Sequence, residues 1–134
     1  MGGLLFAVPM IGFCQVSLHV VLLLEKPQPG GTLHVSLFTS KKAYIANKGG
    51  PEKVVQVEGS TASCDFENLG TGQYAIKVFQ DVNGNGVLDK SWLGWPKEPV
   101  GYSNNAPINT GEPPFNLAVV KLETGNSTER IRVR

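Results

Sequence analysis

The sequence predicts an all-β domain built as an antiparallel sandwich of about seven strands. Charged residues make up only 17 % of the chain, below the usual ~25 %, whereas Gly (16) and Pro (9) are abundant. Short apolar stretches alternate with clusters of these turn-forming residues along the chain. This combination is typical of all-β domains, and 134 residues suffice for one domain with a single core.

Regular apolar alternation predicts the first two strands, Val16–Leu24 and Thr32–Thr39. The segment Glu25–Gly31 between them contains two prolines and a glycine pair, which a central strand does not accommodate. We therefore predict that the two strands pair as a hairpin. Their outward faces carry His19 and His34, which are out of direct register in such a hairpin, so a His–His metal site is not expected.

Three further strands are predicted in the middle of the chain. Lys53–Glu58, Thr61–Glu67 and Tyr74–Gln80 alternate apolar and polar residues, with glycine-containing breaks between them. Cys64 falls on the apolar face of the second of these strands, where we interpret it as a buried thiol that acts as a small hydrophobic group. The stretch Ser40–Pro51 has no clear period and can hold a short helical turn or a crossover.

A long segment without a period opens the last third of the chain. Lys90–Pro114 contains both tryptophans and five of the nine prolines. A structureless connection of this length is uncommon in a compact domain and is often functional. The segments Phe115–Leu122 and Ser127–Arg134 then return to strand-like patterns and complete the predicted sandwich.

Residues 1–14 are predicted to be a cleaved signal peptide. Leu4–Phe13 is apolar over the length of a signal-peptide h-region, and small residues precede a cut before Gln15. No Lys or Arg precedes this region, which departs from the usual pattern, and a retained anchor or an ordinary buried segment are the alternatives. We expect residues 15–134 to form a single secreted or periplasmic domain without a stable membrane span.

The net charge of the chain is +1, which gives no strong attraction to nucleic acid. We therefore expect no nucleic-acid partner. The two cysteines allow at most one disulfide, and Cys14 would leave with the signal peptide.

The loop Asp81–Asp89 is the candidate metal site, because Asp, Asn and Gly make up most of it. Calcium is bound by oxygen atoms at fixed positions of such a loop. The matching groups are, in chain order, the side chains of Asp81, Asn83 and Asn85, the carbonyl of Val87 and the side chain of Asp89. Trp92 stands where an EF-hand has its last acidic ligand, so an EF-hand is excluded and affinity would be modest unless Glu98 or Asp65 folds over. The alternative is an ordinary tight turn, which Asn-Gly pairs favour.

Residues that follow this loop form the candidate ligand-binding group. They are Trp92, Trp95, Tyr102, Asn104 and Asn105. Aromatic side chains offer a large contact area at little cost in conformational entropy, so a platform for a protein, a peptide or a glycan is one interpretation. The alternatives are aromatic residues that plug the open end of the sandwich and asparagines that bind their own loop.

No Ser/His/Asp motif, HExxH motif or Gly-rich phosphate loop occurs in the chain. We therefore expect a protein without catalytic activity. A hydrolase that uses Asp81, Asp89 or Glu98 is kept as an alternative, because catalytic residues can assemble from distant positions.

Several motifs carry a family resemblance. The pattern Phe66-Glu-Asn-Leu69-x-x-Gly72-x-Tyr74, followed by an alternating strand, resembles transthyretin-like and carboxypeptidase-regulatory-like modules. Later motifs resemble small secreted bacterial proteins of the domain of unknown function 2141 family; they are Asp81-x-Asn-Gly-Asn-Gly-x-Leu-Asp89, Leu93-Gly94-x-Pro96-x-Glu98, Gly101-Tyr102-Ser103-Asn104-Asn105 and Pro113-x-Phe115. The resemblance covers about Val16 to Arg134 and implies export, an immunoglobulin/transthyretin-like β-sandwich and no established activity.

These observations together predict an exported binding or accessory module of the bacterial envelope. Its ligand would lie at the loop end of the sandwich, with a calcium ion as a possible stabiliser of the Asp81–Asp89 loop. A purely structural domain without a ligand is the first alternative, and the hydrolase is the second.

Overall fold

The computed structural model describes residues 15–26, 31–90, 96–109, 111–123 and 125–134. Within these ranges the chain forms two packed β-sheets with eight strands, which confirms the predicted all-β sandwich. The elements are, in chain order, β1 (Val16–Leu24), β2 (Thr32–Phe38), α1 (Lys41–Ala46), β3 (Glu52–Gln56), β4 (Thr61–Leu69), β5 (Gly72–Asp81), β6 (Val100–Tyr102), a 3-10 helix (Ser103–Asn105), α2 (Phe115–Ala118), β7 (Val120–Leu122) and β8 (Gly125–Val133). No helix within the described ranges is long and apolar enough to cross a membrane.

The smaller sheet has the strand order β4-β1-β8 among the described residues. Its central strand β1 is antiparallel to β4 but parallel to β8, the last strand. The larger sheet has the order β3-β2-β5-β6, and β7 also pairs with β5. All pairings in the larger sheet are antiparallel.

The predicted hairpin between the first two strands is wrong, because β1 and β2 belong to different sheets. Strand β1 lies between β4 and β8, whereas β2 lies between β3 and β5. The alternation of apolar and polar residues does predict the buried faces correctly, since both strands bury every second side chain in the common core. Alternation shows which face of a strand is buried, but it does not show which strand is the neighbour.

Two differences concern the last third of the chain. Phe115–Leu122, predicted as one strand, is divided into α2 and β7. One helical turn puts Phe115 and Ala118 on the same side of α2, where both side chains join the apolar cluster around α1. The segment Lys90–Pro114, predicted without regular structure, contains β6 and the 3-10 helix. Strand β6 is only three residues long, so no alternation could reveal it.

Two apolar clusters cover the two faces of the larger sheet. The main core lies between the two sheets and contains the alternate residues of β1, β2, β5 and β8. A second cluster covers the other face of β2 and β5, and its buried members are Phe38, Tyr44, Ala75, Val100, Tyr102, Ala106 and Ala118. Strand β5 is therefore buried on both faces, and its outer face supports α1, α2 and the segment that begins at β6.

The two sheets are joined at one side by β6 and the end of β8. The backbone N–H of Val100 donates to the carbonyl of Arg134 at 3.0 Å, and the N–H of Arg134 donates back to the carbonyl of Val100 at 3.0 Å. Ser103, directly after β6, connects β5 with α2, because its Oγ accepts from the N–H of Ile76 at 2.8 Å and donates to the carbonyl of Ala118. The sandwich is thus closed along this side by backbone hydrogen bonds.

Cys64 is a free, half-buried thiol on β4. Burial, with a smaller contribution from Asp65, raises the pKa of this thiol from 9.0 to about 11. Because a raised pKa stabilises the folded protein only while the thiol is protonated, that stabilisation is present below pH 9.0 and is lost as the pH rises through about 11.

We expect Cys64 to react slowly with iodoacetamide at neutral pH, since the thiolate is the reactive form. The higher pKa lowers the thiolate fraction by about 100-fold relative to an unfolded chain. Labelling followed by mass spectrometry, with the urea-unfolded protein as the control, measures the ratio. Equal rates in the two states would contradict the prediction.

Candidate functional site

The Asp81–Asp89 loop is organised by the carboxylate of Asp81, the last residue of β5. This side chain is only 2 % exposed. Its Oδ1 accepts hydrogen bonds from the backbone N–H groups of Gly84 at 3.1 Å and Asn85 at 3.2 Å, and its Oδ2 accepts one from Gly86 at 2.7 Å. Both glycines have positive φ, which lets the chain curl around the carboxylate without strain.

The two asparagines of the loop make two kinds of hydrogen bond. Their side-chain oxygens accept from the backbone, and their side-chain nitrogens donate to Asp89. The Oδ1 atoms of Asn83 and Asn85 accept from the N–H groups two residues further on, at 3.2 and 3.1 Å. Their Nδ2 atoms donate to the carboxylate of Asp89 at distances of 2.5 to 3.1 Å. Donation from Asn85, and then from Asn83, holds the pKa of Asp89 below its usual value of 3.8.

Glu98 closes the loop from the segment before β6. Its side chain is buried, its Oε2 accepts from the N–H of Val82 at 2.6 Å, and its Oε1 accepts from the N–H of Asp89 at 3.0 Å. One carboxylate thus connects both ends of the loop. Asp65, the other acid considered for this role, instead contacts His19 on the smaller sheet at 2.7 Å.

A calcium ion would have to compete with these hydrogen bonds. Across the described ranges, no group of three or more His, Cys, Asp and Glu side chains is placed to hold a metal ion. The Asn83 and Asn85 nitrogens face the carboxylate of Asp89. Asp81 Oδ2 and the Oδ1 atoms of Asn83 and Asn85 nevertheless accept one backbone hydrogen bond each, which leaves each of them a second lone pair. The metal assignment of Asp81, Asn83, Asn85, Val87 and Asp89 therefore stays a prediction.

The predicted aromatic and asparagine group is only partly brought together. Trp92 and Trp95 lie outside the described residues. Tyr102 is buried in β6, where burial raises its pKa. Asn104 donates from Nδ2 to the carbonyl of Leu117 at 3.0 Å, and Asn105 accepts from the N–H of Arg132 at 3.0 Å. The two asparagines therefore hold the backbone of α2 and β8 rather than that of their own loop, and their role in ligand binding stays a prediction.

A cleft of about 440 Å³, called the β2–β5 cleft below, lies over the outer face of the larger sheet. Its floor contains outward-facing side chains of β2 and β5, among them His34 and Phe79. One wall is formed by Ile45 and residues 47–50, which follow β2, and the other by residues 86–88 of the Asp81–Asp89 loop and by Lys90, which follow β5. Because β2 and β5 are antiparallel, these two segments leave opposite ends of the floor. Tyr102 also borders the cleft, whereas Asn104 and Asn105 are not among its lining residues. A volume of this size is typical of small-molecule sites.

His34 links the floor of the cleft to the Asp81–Asp89 loop. Its ring stacks on Phe79, with a centroid distance of 4.7 Å and an interplanar angle of 11°. Its Nδ1 lies 3.0 Å from Glu52 Oε1, and its Nε2 lies 3.6 Å from Asp81 Oδ2. The sequence prediction missed this cluster because it paired β2 with β1, whereas the neighbour that brings Phe79 to His34 is β5.

The charges of the cleft fall into two groups. Lys77 is engaged, because its Nζ pairs with Glu112 at 2.7 Å, donates to the carbonyl of Tyr44 at 2.6 Å and lies over the Tyr44 ring at 4.1 Å. Lys48 and Lys90 stand on opposite walls of the cleft and are exposed. Within the part of the chain that the structure describes, no carboxylate pairs with either of them.

The fold and this cleft define a class, namely a β-sandwich with a ligand-sized cleft on the outer face of one sheet. The chain belongs to the family described as uncharacterized protein conserved in bacteria, domain of unknown function 2141, which it matches over residues 26–130. This match confirms the resemblance of the later motifs to that family, whereas the transthyretin-like resemblance stays a prediction. No curated protein and no solved structure matches the chain.

Proposed function

We propose that this protein is an exported binding module of the bacterial envelope and that its ligand occupies the β2–β5 cleft. The observation that carries the proposal is the combination of a ligand-sized volume with apolar rings on the floor and uncompensated charges on the walls. The proposed binding site still includes the Asp81–Asp89 loop and Tyr102, but its centre lies at His34 and Phe79.

Exposed apolar side chains on the two walls support this location. Ile45 is 66 % exposed and Val87 is 60 % exposed, and they stand on opposite sides of the cleft. Folding does not require such exposure, whereas a ligand between the walls would cover both side chains.

The hydrogen bonds of the carboxylates that a hydrolase would use favour a binding function over a catalytic one. Asp81 accepts three backbone hydrogen bonds, Glu98 accepts two, and Asp89 accepts from the side-chain nitrogens of Asn83 and Asn85. A catalytic acid or base needs access to a substrate proton, and these three carboxylates already accept hydrogen bonds from the loop itself. The proposed function is therefore without a catalytic step.

Export is part of the proposal and rests on the apolar segment Leu4–Phe13. Cleavage before Gln15 would leave every described strand complete, because β1 begins at Val16. Intact-mass analysis of the protein isolated from a bacterial periplasm tests this point, and an uncleaved N-terminus would contradict it.

A fragment library titrated into the isotope-labelled protein tests the binding function. We expect bound fragments to shift the backbone NMR signals of the cleft, and the double variant Ile45→Ser with Val87→Ser to bind them about tenfold more weakly. Leu117→Ser is the matched control, since Leu117 is also exposed but lies outside the cleft. If no fragment shifts cleft signals, the purely structural alternative is favoured.

A calcium ion in the Asp81–Asp89 loop is a second proposal. It is supported by the side-chain oxygens of Asp81, Asn83 and Asn85, which the backbone N–H groups hold in place at the first, third and fifth loop positions. Oxygen ligands that are already oriented lose little entropy on binding.

Thermal melting with added calcium tests the second proposal. With a dissociation constant near 1 mM, about 10 mM calcium should stabilise the protein by ~1.4 kcal/mol. The variant Asp89→Asn should abolish the response, and magnesium should act more weakly because it demands a stricter geometry. An unchanged melting temperature at millimolar calcium would reject the metal site.

A further inference from the structure

We infer that the ligand of the β2–β5 cleft is an organic anion, with a flat apolar body on the floor and a carboxylate or phosphate group held between Lys48 and Lys90. This inference rests on the proposed binding function and specifies the chemical class of the ligand.

The charge balance of the cleft supports an anion. Three lysines and two glutamates line it, which leaves +1 with His34 neutral. Glu112 is compensated by Lys77, whose Nζ lies 2.7 Å away, and Glu52 is within hydrogen-bond distance of His34 Nδ1 at 3.0 Å. Asp81, beneath His34, is buried and accepts three backbone hydrogen bonds. The positive charges of Lys48 and Lys90 are therefore the ones available to a ligand.

The lysines of the two walls can share one anionic group. Lys48 belongs to the wall after α1, and Lys90 belongs to the opposite wall. A lysine side chain is long and flexible and carries three donors on a compact charge, so two lysines can converge on one carboxylate or phosphate from both sides. An anion would thus connect the two walls of the cleft.

A cationic ligand is disfavoured by Lys77. Aromatic faces attract cations, but the Nζ of Lys77 already lies 4.1 Å from the centre of the Tyr44 ring and 5.0 Å from that of Phe38. The remaining carboxylate near the floor, Glu52, is engaged by His34 and lies 3.5 Å from Ser36 Oγ. A ligand cation would find both kinds of partner in use.

The floor favours a flat apolar body. His34 and Phe79 line the cleft and stack face to face almost in parallel, so either ring can offer a flat ligand its second face or its edge. Ile45 and Val87 add apolar contact at the rim. A planar ring loses little conformational entropy when it is placed between such groups.

Titration with matched aryl probes tests the inference. Benzoate, benzamide and benzylamine share one ring and differ in charge, and phenyl phosphate separates phosphate from carboxylate recognition. We expect the two anions to bind at least about tenfold more tightly than benzamide, as measured by the shifts of the cleft signals. Their affinity should fall as salt is added. Benzylamine should be the weakest of the four.

The double variant Lys48→Gln with Lys90→Gln should remove the preference for anions and retain the weak binding of benzamide. Lys121→Gln, an exposed lysine on β7 outside the cleft, is the matched control and should leave every affinity unchanged. Equal binding of benzoate and benzamide to the wild-type cleft would overturn the anion inference and leave the binding function standing. Failure of all four probes, together with the fragment library, would overturn both.

Discussion

Replacing Asp81 with alanine is expected to lower the free energy of unfolding by about 3 kcal/mol. The carboxylate is almost fully buried and is the common acceptor for the N–H groups of Gly84, Asn85 and Gly86. Alanine leaves these donors without their partner and also removes the acid that faces His34 Nε2 at 3.6 Å. Urea denaturation followed by circular dichroism measures the loss.

Two controls distinguish the role of Asp81 from a general sensitivity of the loop. Asp81→Asn keeps one oxygen acceptor and should cost about half as much. Asn83→Ala removes an exposed side chain that accepts one backbone hydrogen bond, and it should cost less than about 1 kcal/mol. Equal losses for Asp81→Ala and Asn83→Ala would show that the buried carboxylate does not organise the loop.

Replacing Gly101 with alanine is expected to destabilise the protein by about 3 kcal/mol through overpacking. A Cβ atom at this position of β6 would stand 2.5 Å from the carbonyl oxygen of Arg132 and 2.8 Å from Cγ2 of Ile131. Both contacts belong to β8, and one of them is backbone, so β6 and β8 would have to separate. The separation would also strain the hydrogen bonds between Val100 and Arg134 that close the sandwich.

Gly70→Ala is the matched control for this prediction. Neither glycine has a positive φ, and the nearest atom to a Cβ at position 70 is the Tyr74 hydroxyl, at 4.0 Å. The substitution at position 70 should change the stability by less than about 1 kcal/mol. The difference between the two variants in urea denaturation therefore measures the steric contact alone, and similar values would refute the close approach of β6 to β8.

The sequence was sufficient to predict the strands in which apolar and polar residues alternate over many positions. It was not sufficient to predict which strands pair with each other. Val16–Leu24 was predicted with the bounds that the structure has, because nine residues of alternation leave little choice of period. The neighbours of this strand, β4 and β8, are far from it along the chain, and no local pattern encodes such a pairing. Strand β6 and helix α2 contain three and four residues, too few to show a period.

The candidate site was predictable where its contacts are local. Residue type alone marked Asp81, Asn83 and Asn85 as polar groups that organise their loop, and their oxygens accept backbone N–H groups of that loop, whereas their role as metal ligands stays a prediction. The β2–β5 cleft was not predicted, because His34 and Phe79 are neighbours only through the pairing of β2 with β5. Its lysines come from still other segments, which fold onto that sheet from both sides.

The parallel pairing of β1 with β8 has a consequence for the order of folding. Val16 pairs with Gly125, so the ends of a segment of more than 100 residues must meet before this part of the sheet exists. Contacts between such distant positions form slowly, because the entropy of closing the loop is lost before the contacts stabilise it. During synthesis, β1 remains an apolar strand with one open edge until the last nine-residue strand has left the ribosome. We expect a chain truncated before β8 to expose that edge and to aggregate rather than fold.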